Sequence, residues 1–220
     1  MDDVVVSDRQ RVPVIGLIGG IGSGKSAVAD WVSQRRRVIR IDGDLEGHRA
    51  LQQTEIKNKL KERFGNEILD SSGQVDRAIL AGKVFGPLPE HEQARTDLEN
   101  IVHPEIEKAI RKQIEIANQS KSTEAILLDA AILLEAGWEK SCDAVVFIDT
   151  PESERVRRVR ENRGWDAEEL HKREANQYPL DLKRQRADFI ISNSASIEEA
   201  GMQLEQIIQQ FNRPQSSSCR

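Results

Sequence analysis

The chain has 220 residues, and its 32 Lys and Arg against 37 Asp and Glu leave a formal charge of −5, with two distant cysteines. This length suits one α/β domain with a smaller inserted lobe, and the acidic balance argues against a body that binds nucleic acid. Because the opening is too short for a secretory signal and no apolar stretch reaches membrane-spanning length, we expect a cytoplasmic protein that acts on small molecules.

The first predicted strand, at 12–18, leads directly into Gly-Gly-Ile-Gly-Ser-Gly-Lys-Ser at 19–26, and a helical pattern follows at 25–34. The spacing G-x-x-x-x-G-K-[ST] is typical of a phosphate loop, in which backbone N–H groups wrap an oligophosphate. We expect Lys25 to reach the β and γ phosphates and the Ser26 hydroxyl to hold Mg²⁺. The positions predicted to bind ATP are Gly20, Gly22, Ser23, Gly24, Lys25, Ser26 and Ala27.

Further apolar runs have the length and composition of buried parallel strands. They lie at 38–41, 125–128, 144–148 and 189–191, and helical patterns separate them. This alternation predicts right-handed βαβ units that build one parallel sheet between two helical layers.

The intervals between these strands divide the single predicted domain, 1–220, into parts. A core is expected at about 12–45, 123–151 and 185–212, because the strands fall there. The interval of about 46–122 is too long for a simple crossover and predicts an inserted helical lobe. A second helical excursion, at about 152–184, is predicted to form a lid, and the tails at 1–11 and 213–220 are predicted to be flexible.

Carboxylates follow two of the predicted strands: Asp42 and Asp44 after the second, and Asp129 at the end of the third. Ligands of parallel sheets bind beyond the carboxyl ends of the strands. Asp129 therefore has the context of a carboxylate that supports a metal, directly or through water. Asp42 is placed to orient an attacking hydroxyl or to accept its proton. The alternative for each is a turn or capping aspartate.

Five arginines occur in the nine residues at 155–163. Guanidinium groups carried over a nucleotide by a closing lid stabilise the charge that develops during phosphoryl transfer. On a helix, Val156 and Val159 define a packing side and leave Arg157 and Arg160 on the opposite side. We expect part of the cluster to meet phosphate and the rest to be solvated.

The stretch Asp70-Ser71-Ser72-Gly73-Gln74 is similar to the D-x-x-G of GTPase switches. Only a short apolar pair precedes it, and no N-K-x-D for guanine follows. We therefore predict a polar turn here, and a regulatory nucleotide switch is the alternative from a different functional class.

Taken in order, these stretches resemble the dephospho-coenzyme A kinase family from about residue 12 to 196. The resemblance is carried by the glycine-rich stretch at 16–26 and by four later segments. These segments are 41–44, 98–104, 129–137 and 183–188. The family usually has Thr where Ile18 stands, often Thr where Ala27 stands, and Pro-Leu-Leu where this chain has Ala131-Ile132-Leu133.

The resemblance implies a P-loop NTPase core, a helical lobe for the coenzyme A moiety, and a lid. The implied activity is Mg²⁺-dependent transfer of the ATP γ-phosphate to the ribose 3′-hydroxyl of dephospho-coenzyme A, the last step of coenzyme A biosynthesis. It implies that Asp42 is the candidate base and that Arg157 and Arg163 are the lid arginines. Acceptor-side positions are Asp44, Arg77 and His103.

Another small-molecule kinase, acting on a nucleoside or nucleotide, is the alternative within the same class. Its acceptor would also bind beside the phosphate loop of a parallel sheet. The sequence carries no signal for an oligomeric state.

Overall fold

The computed structural model describes residues 11–86 and 88–212. The predicted tails, 1–11 and 213–220, lie outside this range except for Arg11. Among the described residues, five strands form one sheet in the order β2-β3-β1-β4-β5. The strands are β1 (Val14–Ile18), β2 (Val38–Asp42), β3 (Ala125–Asp129), β4 (Ala144–Asp149) and β5 (Phe189–Ser192).

The strand pairings are parallel, as predicted. β1 pairs in parallel with both β3 and β4, and β4 pairs in parallel with β5. All five residues of β1 are buried, and so are all five of β3. Strands covered by helices on both faces are apolar throughout, which explains their continuous runs of Val, Ile and Leu.

Helices connect these strands and cover the sheet. They are α1 (Lys25–Ser33), α2 (Gly43–Ala50), α3 (Thr54–Phe64), α4 (Arg77–Val84), α5 (Pro89–Asn118), α6 (Glu152–Arg163), α7 (Ala167–Glu174), α8 (Leu180–Gln185) and α9 (Ile197–Phe211). No helix in the described part of the chain is both long enough and apolar enough to span a membrane.

Helices α1 and α9 pack together on one face of the sheet. Val28 and Leu204 join Ile15 of β1 in the same buried cluster. The two helices approach closely at Gly201, where a Cβ would lie only 2.1 Å from the Trp31 ring. Burial of this apolar surface holds the first turn of α1 against the end of β1.

The described residues divide into two compact units. One unit contains the sheet; it runs to Ile41 and resumes at Ile114. The other unit, Asp42–Gln113, contains α2, α3, α4 and most of α5, and it is inserted between β2 and β3. Its buried residues include Ile56, Leu60 and Ile68. Helix α5 continues through Pro104.

Residues 70–74 form the predicted polar turn. The Asp70 carboxylate accepts backbone hydrogen bonds from Ser72 at 2.8 Å and from Gln74 at 3.0 Å. Hydrogen bonds from Ser72 and Gln74 hold the pKa of Asp70 below its ordinary value. The glycine of the D-x-x-G pattern, Gly73, has a φ of 73° and completes the turn. The similarity to a GTPase switch is therefore explained by local turn chemistry.

Candidate functional site

The phosphate loop, defined here as residues 19–26, joins β1 to α1 at the carboxyl edge of the sheet. The Ser23 N–H donates to the Gly20 carbonyl at 3.1 Å and closes the turn. Gly22 and Gly24 have φ values of 78° and 88°, which residues with a Cβ rarely adopt. Gly24 is also the N-cap of α1. The loop therefore has the positive φ values and the helix N-terminus that a phosphate loop uses to bind an anion.

Lys25 lies across the loop that it terminates. Its Nζ donates to the carbonyl oxygens of Gly19 at 3.3 Å and of Gly20 at 3.4 Å. Ala27, two residues further along, is exposed, whereas Ser23 is fully buried. Within the described part of the chain, the Ser23 hydroxyl has no hydrogen-bond partner. The predicted ATP-binding positions of the loop therefore differ in exposure: Gly20 and Ser23 are buried, and Ser26 and Ala27 are exposed.

Ser26 and Asp129 are brought together from sequence positions 103 residues apart. The Ser26 Oγ donates to Asp129 Oδ2 at 2.6 Å. Asp129 is only 5% exposed, and it ends β3, the strand that pairs with β1. A hydroxyl and a carboxylate at this place are the hard oxygen ligands that Mg²⁺ takes beside bound phosphates. Among the described residues, no group of three His, Cys, Asp or Glu side chains could hold a metal ion.

Arg40 pairs with the same carboxylate. Its Nη2 lies 2.7 Å from Asp129 Oδ2, and its Nη1 lies 2.8 Å from Asp30 Oδ1. Burial opposes the charge on Arg40, but Asp129 and Asp30 outweigh that effect and raise its pKa above the ordinary value. Arg40 was not among the predicted site residues, although a charge inside the apolar run 38–41 was a signal for it.

The carbonyl oxygen of Ser23 accepts three side-chain hydrogen bonds. The donors are Thr150 Oγ1 at 2.9 Å, Asn193 Nδ2 at 2.7 Å and Arg158 Nη1 at 3.2 Å. Arg158 Nη2 also donates to the Asn193 carbonyl at 3.0 Å. These residues come from the ends of β4 and β5 and from α6, so three elements hold the loop in place.

Two arginines of the cluster at 155–163 contact the phosphate loop, and they are not the two that were predicted to contact phosphate. Arg155 is buried and Arg158 is half-buried, and both lie against the loop. The signal for them was their spacing. Arg158 and Val159 follow Arg155 by three and four residues, so all three share a helix face.

Arg157 and Arg163 are exposed. Arg157 forms ion pairs with Glu154 at 2.8 Å and with Glu161 at 2.9 Å, and its hydrogen bonds to these carboxylates raise its pKa. The Arg163 guanidinium stacks over the Trp165 ring. Phosphate contacts by these two arginines stay a prediction. Val159 is buried and Arg157 and Arg160 are exposed, as predicted, but Val156 is only half-buried and the second buried residue of α6 is Arg155.

The remaining candidates belong to the inserted unit. Asp42 is the N-cap of α2, and its carboxylate accepts the Leu45 N–H at 2.9 Å. The capping interaction is thus observed, and the catalytic role of Asp42 stays a prediction. Asp44 lies exposed in the first turn of α2, and Arg77 is the first residue of α4. His103 is half-buried on α5; burial lowers its pKa, and Glu99 partly opposes that effect.

The matching family model and the similar curated proteins agree on one family. The CoaE family model, described as dephospho-CoA kinase, matches residues 13–199. A dephospho-CoA kinase of Syntrophotalea carbinolica is 36% identical over 186 residues, which are 84% of this chain and 86% of that protein. The crystal structure of TT1252 from Thermus thermophilus has a TM-score of 0.74 and 30% identity, covering 91% of this chain and 98% of the other.

A dephospho-CoA kinase from Campylobacter jejuni has a TM-score of 0.58 at 22% identity, covering 92% of this chain and 98% of that one. At this identity the likeness concerns the fold, and it agrees with the parallel sheet and the loop described above.

Proposed function

This chain belongs to the dephospho-CoA kinase family, and we propose that it transfers the γ-phosphate of ATP to the ribose 3′-hydroxyl of dephospho-CoA, giving CoA and ADP. The observation that carries the proposal is the 2.6 Å hydrogen bond between Ser26 and Asp129, at the end of a complete phosphate loop. A loop of this kind binds the donor, and the family relationship supplies the acceptor.

The donor half of the reaction uses the phosphate loop. Its inward backbone N–H groups bind the β-phosphate, and Lys25 leaves the carbonyl oxygens of Gly19 and Gly20 to contact the β and γ oxygens. Three side-chain donors hold the Ser23 carbonyl and so restrict the backbone of the loop before nucleotide binds. Loop N–H groups that are held in place before the reaction lower the barrier to phosphoryl transfer more than flexible donors do.

The proposed cofactor is Mg²⁺ bound with ATP, and the residues present fit it. Ser26 Oγ and, directly or through water, Asp129 would hold the ion. When bound, Mg²⁺ supplies positive charge that neutralises the β and γ phosphate oxygens. Arg40 fixes the Asp129 carboxylate at 2.7 Å and so limits the positions it can take.

The acceptor half is assigned to the inserted unit and to the lid. We assign dephospho-CoA binding to a lobe at about 46–122, which interrupts a core made of the segments 12–45, 123–151 and 185–212. The residues proposed to bind the acceptor are Asp44, Arg77 and His103. Asp42 would orient the 3′-hydroxyl and take its proton as the bond to phosphorus forms; because the transition state is loose, orientation is its larger contribution. Arg157 and Arg163 of a lid at 152–184 would exchange their present partners for phosphate oxygens.

The substrates are thus two small molecules, consistent with an acidic protein that works in the cytoplasm without nucleic acid or membrane. The test measures ADP formation with dephospho-CoA, AMP, CMP, uridine or shikimate as the acceptor. We expect dephospho-CoA to stimulate ADP release strongly and to yield CoA. A preference for a nucleoside or nucleotide would assign the chain to another kinase activity, and ADP release that no acceptor stimulates would contradict kinase function altogether.

A further inference from the structure

The backbone of Ile21, at the apex of the phosphate loop, is bound on both sides by one pair of charged side chains. The Ile21 N–H donates to Glu174 Oε1 at 3.0 Å, and Arg155 Nη1 donates to the Ile21 carbonyl at 3.3 Å. Arg155 and Glu174 also form an ion pair with each other through the same two atoms. Both backbone polar groups of one loop residue are therefore satisfied by this pair.

The pair is packed tightly against the loop. Arg155 is only 4% exposed, and the Glu174 side chain is 17% exposed. A Cβ at Gly20 would lie 2.7 Å from Arg155 Nη1 and 2.9 Å from Glu174 Oε1. The glycine therefore allows the two side chains to reach the loop, and the low exposure makes their electrostatic interaction stronger than at the surface.

We propose that Arg155 and Glu174 are positioning residues that fix the loop apex, residues 20–22, for phosphoryl transfer. This inference rests on the proposed function and assigns two residues to it that lie outside the loop. Neither residue needs to touch substrate. Both act through the Ile21 backbone, which comes directly before the loop N–H groups that would bind phosphate.

The physical reason is the sensitivity of phosphoryl transfer to geometry. A displacement of about 1 Å in a group that positions the reacting phosphate can lower the rate about a hundredfold. The glycines on both sides of Ile21 permit many backbone conformations, so the apex is intrinsically the least restricted part of the loop. An ion pair that binds both the N–H and the carbonyl of Ile21 selects one conformation among them.

The pair also connects two helices to the loop. Arg155 lies in the first turn of α6, and Glu174 is the last residue of α7. A change in the position of α7 would break the Glu174 contact with Ile21 and leave a buried arginine without its carboxylate, which is costly. The conformation of the loop apex is thus coupled to the position of α7.

The test compares variants of Glu174 with a matched control on the same helix. Glu174→Ala removes both contacts, whereas Glu174→Gln keeps an oxygen that can accept the Ile21 N–H. The control is Glu169→Gln, because Glu169 forms a surface ion pair with Arg173 at 2.7 Å on α7. For Glu174→Ala we expect kcat to fall about tenfold to a hundredfold with a KM for ATP within about threefold of the parent.

Glu174→Gln should retain more of kcat than Glu174→Ala, and Glu169→Gln should match the parent. The double variant Arg155→Met with Glu174→Ala should lose no more activity than the more damaged single variant, because the two residues act as one unit. If Glu174→Ala loses thermal stability but keeps the kcat of the parent, the role of Glu174 is merely structural and the proposal is overturned.

A second readout does not depend on the acceptor. Amide hydrogen exchange in the peptide that contains residues 19–26 is measured on the full chain without substrate, and we expect it to be faster in Glu174→Ala and Glu174→Gln than in Glu169→Gln. Unchanged exchange in both Glu174 variants would refute the positioning role. If the parent protein forms no CoA but the exchange rises as expected, the proposed function fails while the fixed apex stands.

Discussion

Ser26 and Asp129 meet through a 2.6 Å hydrogen bond, so the first turn of α1 and the end of β3 are joined at the candidate metal position. The contact depends on the order of the strands, because β3 lies directly beside β1. Arg40 completes the group from β2. Two neighbouring strands, β2 and β3, and the loop therefore contribute to one small polar cluster.

Replacing Asp129 by Asn should raise the Mg²⁺ concentration needed for half-maximal activity and lower kcat at saturating ATP about tenfold or more, since the charge beside the ion is lost. The measurement is a Mg²⁺ titration of the initial rate. Asp30→Asn is the matched control, because Asp30 is the other carboxylate paired with Arg40 and is 52% exposed. An identical Mg²⁺ dependence in the two variants would argue against a metal-supporting role for Asp129.

Lys25→Ala should abolish phosphoryl transfer almost entirely. The Lys25 ammonium is the positive charge of the loop, and it is placed to stabilise the negative charge that develops on the transferring phosphate. Initial rates of ADP formation are compared with the parent at equal protein, and circular dichroism checks the fold. A near-parental rate would mean that the reaction takes place at a different site.

Asp42→Asn should lower turnover by about two orders of magnitude or more and leave ATP affinity nearly unchanged. Asparagine is as good an N-cap as aspartate, so the hydrogen bond to Leu45 and the start of α2 are preserved while the proton acceptor is removed. ATP affinity is measured by calorimetry and turnover by a coupled assay.

Asp166→Asn, the same substitution at the N-cap of α7, controls for capping. Full activity in both variants would rule out Asp42 as the base.

His103 should make the protein less stable as the pH falls from about 7.5 toward 5. Burial lowers the pKa of His103 in the folded state, so the unfolded chain takes up this proton at a higher pH and is stabilised first. We expect His103→Gln to lose less thermal stability than the parent over this range. Parallel melting curves for the two proteins across the whole range would contradict the lowered pKa.

Some of the structure follows from local pattern alone. The loop sequence 19–26 requires a strand before it and a helix after it, because the glycines, Lys25 and Ser26 have fixed local roles. The apolar runs are confirmed as parallel strands, and in β1 and β3 full burial on two faces explains the unbroken apolar stretch. Asp70 likewise forms the predicted turn, because its carboxylate bonds to backbone only two and four residues away.

The side chains that contact the phosphate loop could not be predicted from local pattern. The packing side of α6 was predicted from Val156 and Val159, yet the arginines that face the loop are Arg155 and Arg158. An arginine is polar in any sequence pattern, and only a partner such as Glu174 or a loop carbonyl allows it to be buried.

The type of site, a phosphate loop on a parallel sheet, and the family follow from the amino-acid sequence. They depend on short-range spacing and on the burial of apolar runs. The contacts of Asp129 with Ser26 and Arg40, and of Arg155 and Glu174 with Ile21, emerge only in the folded chain. These contacts join residues 89 to 153 positions apart, and strand order and helix packing, rather than any local preference, set the distance between them.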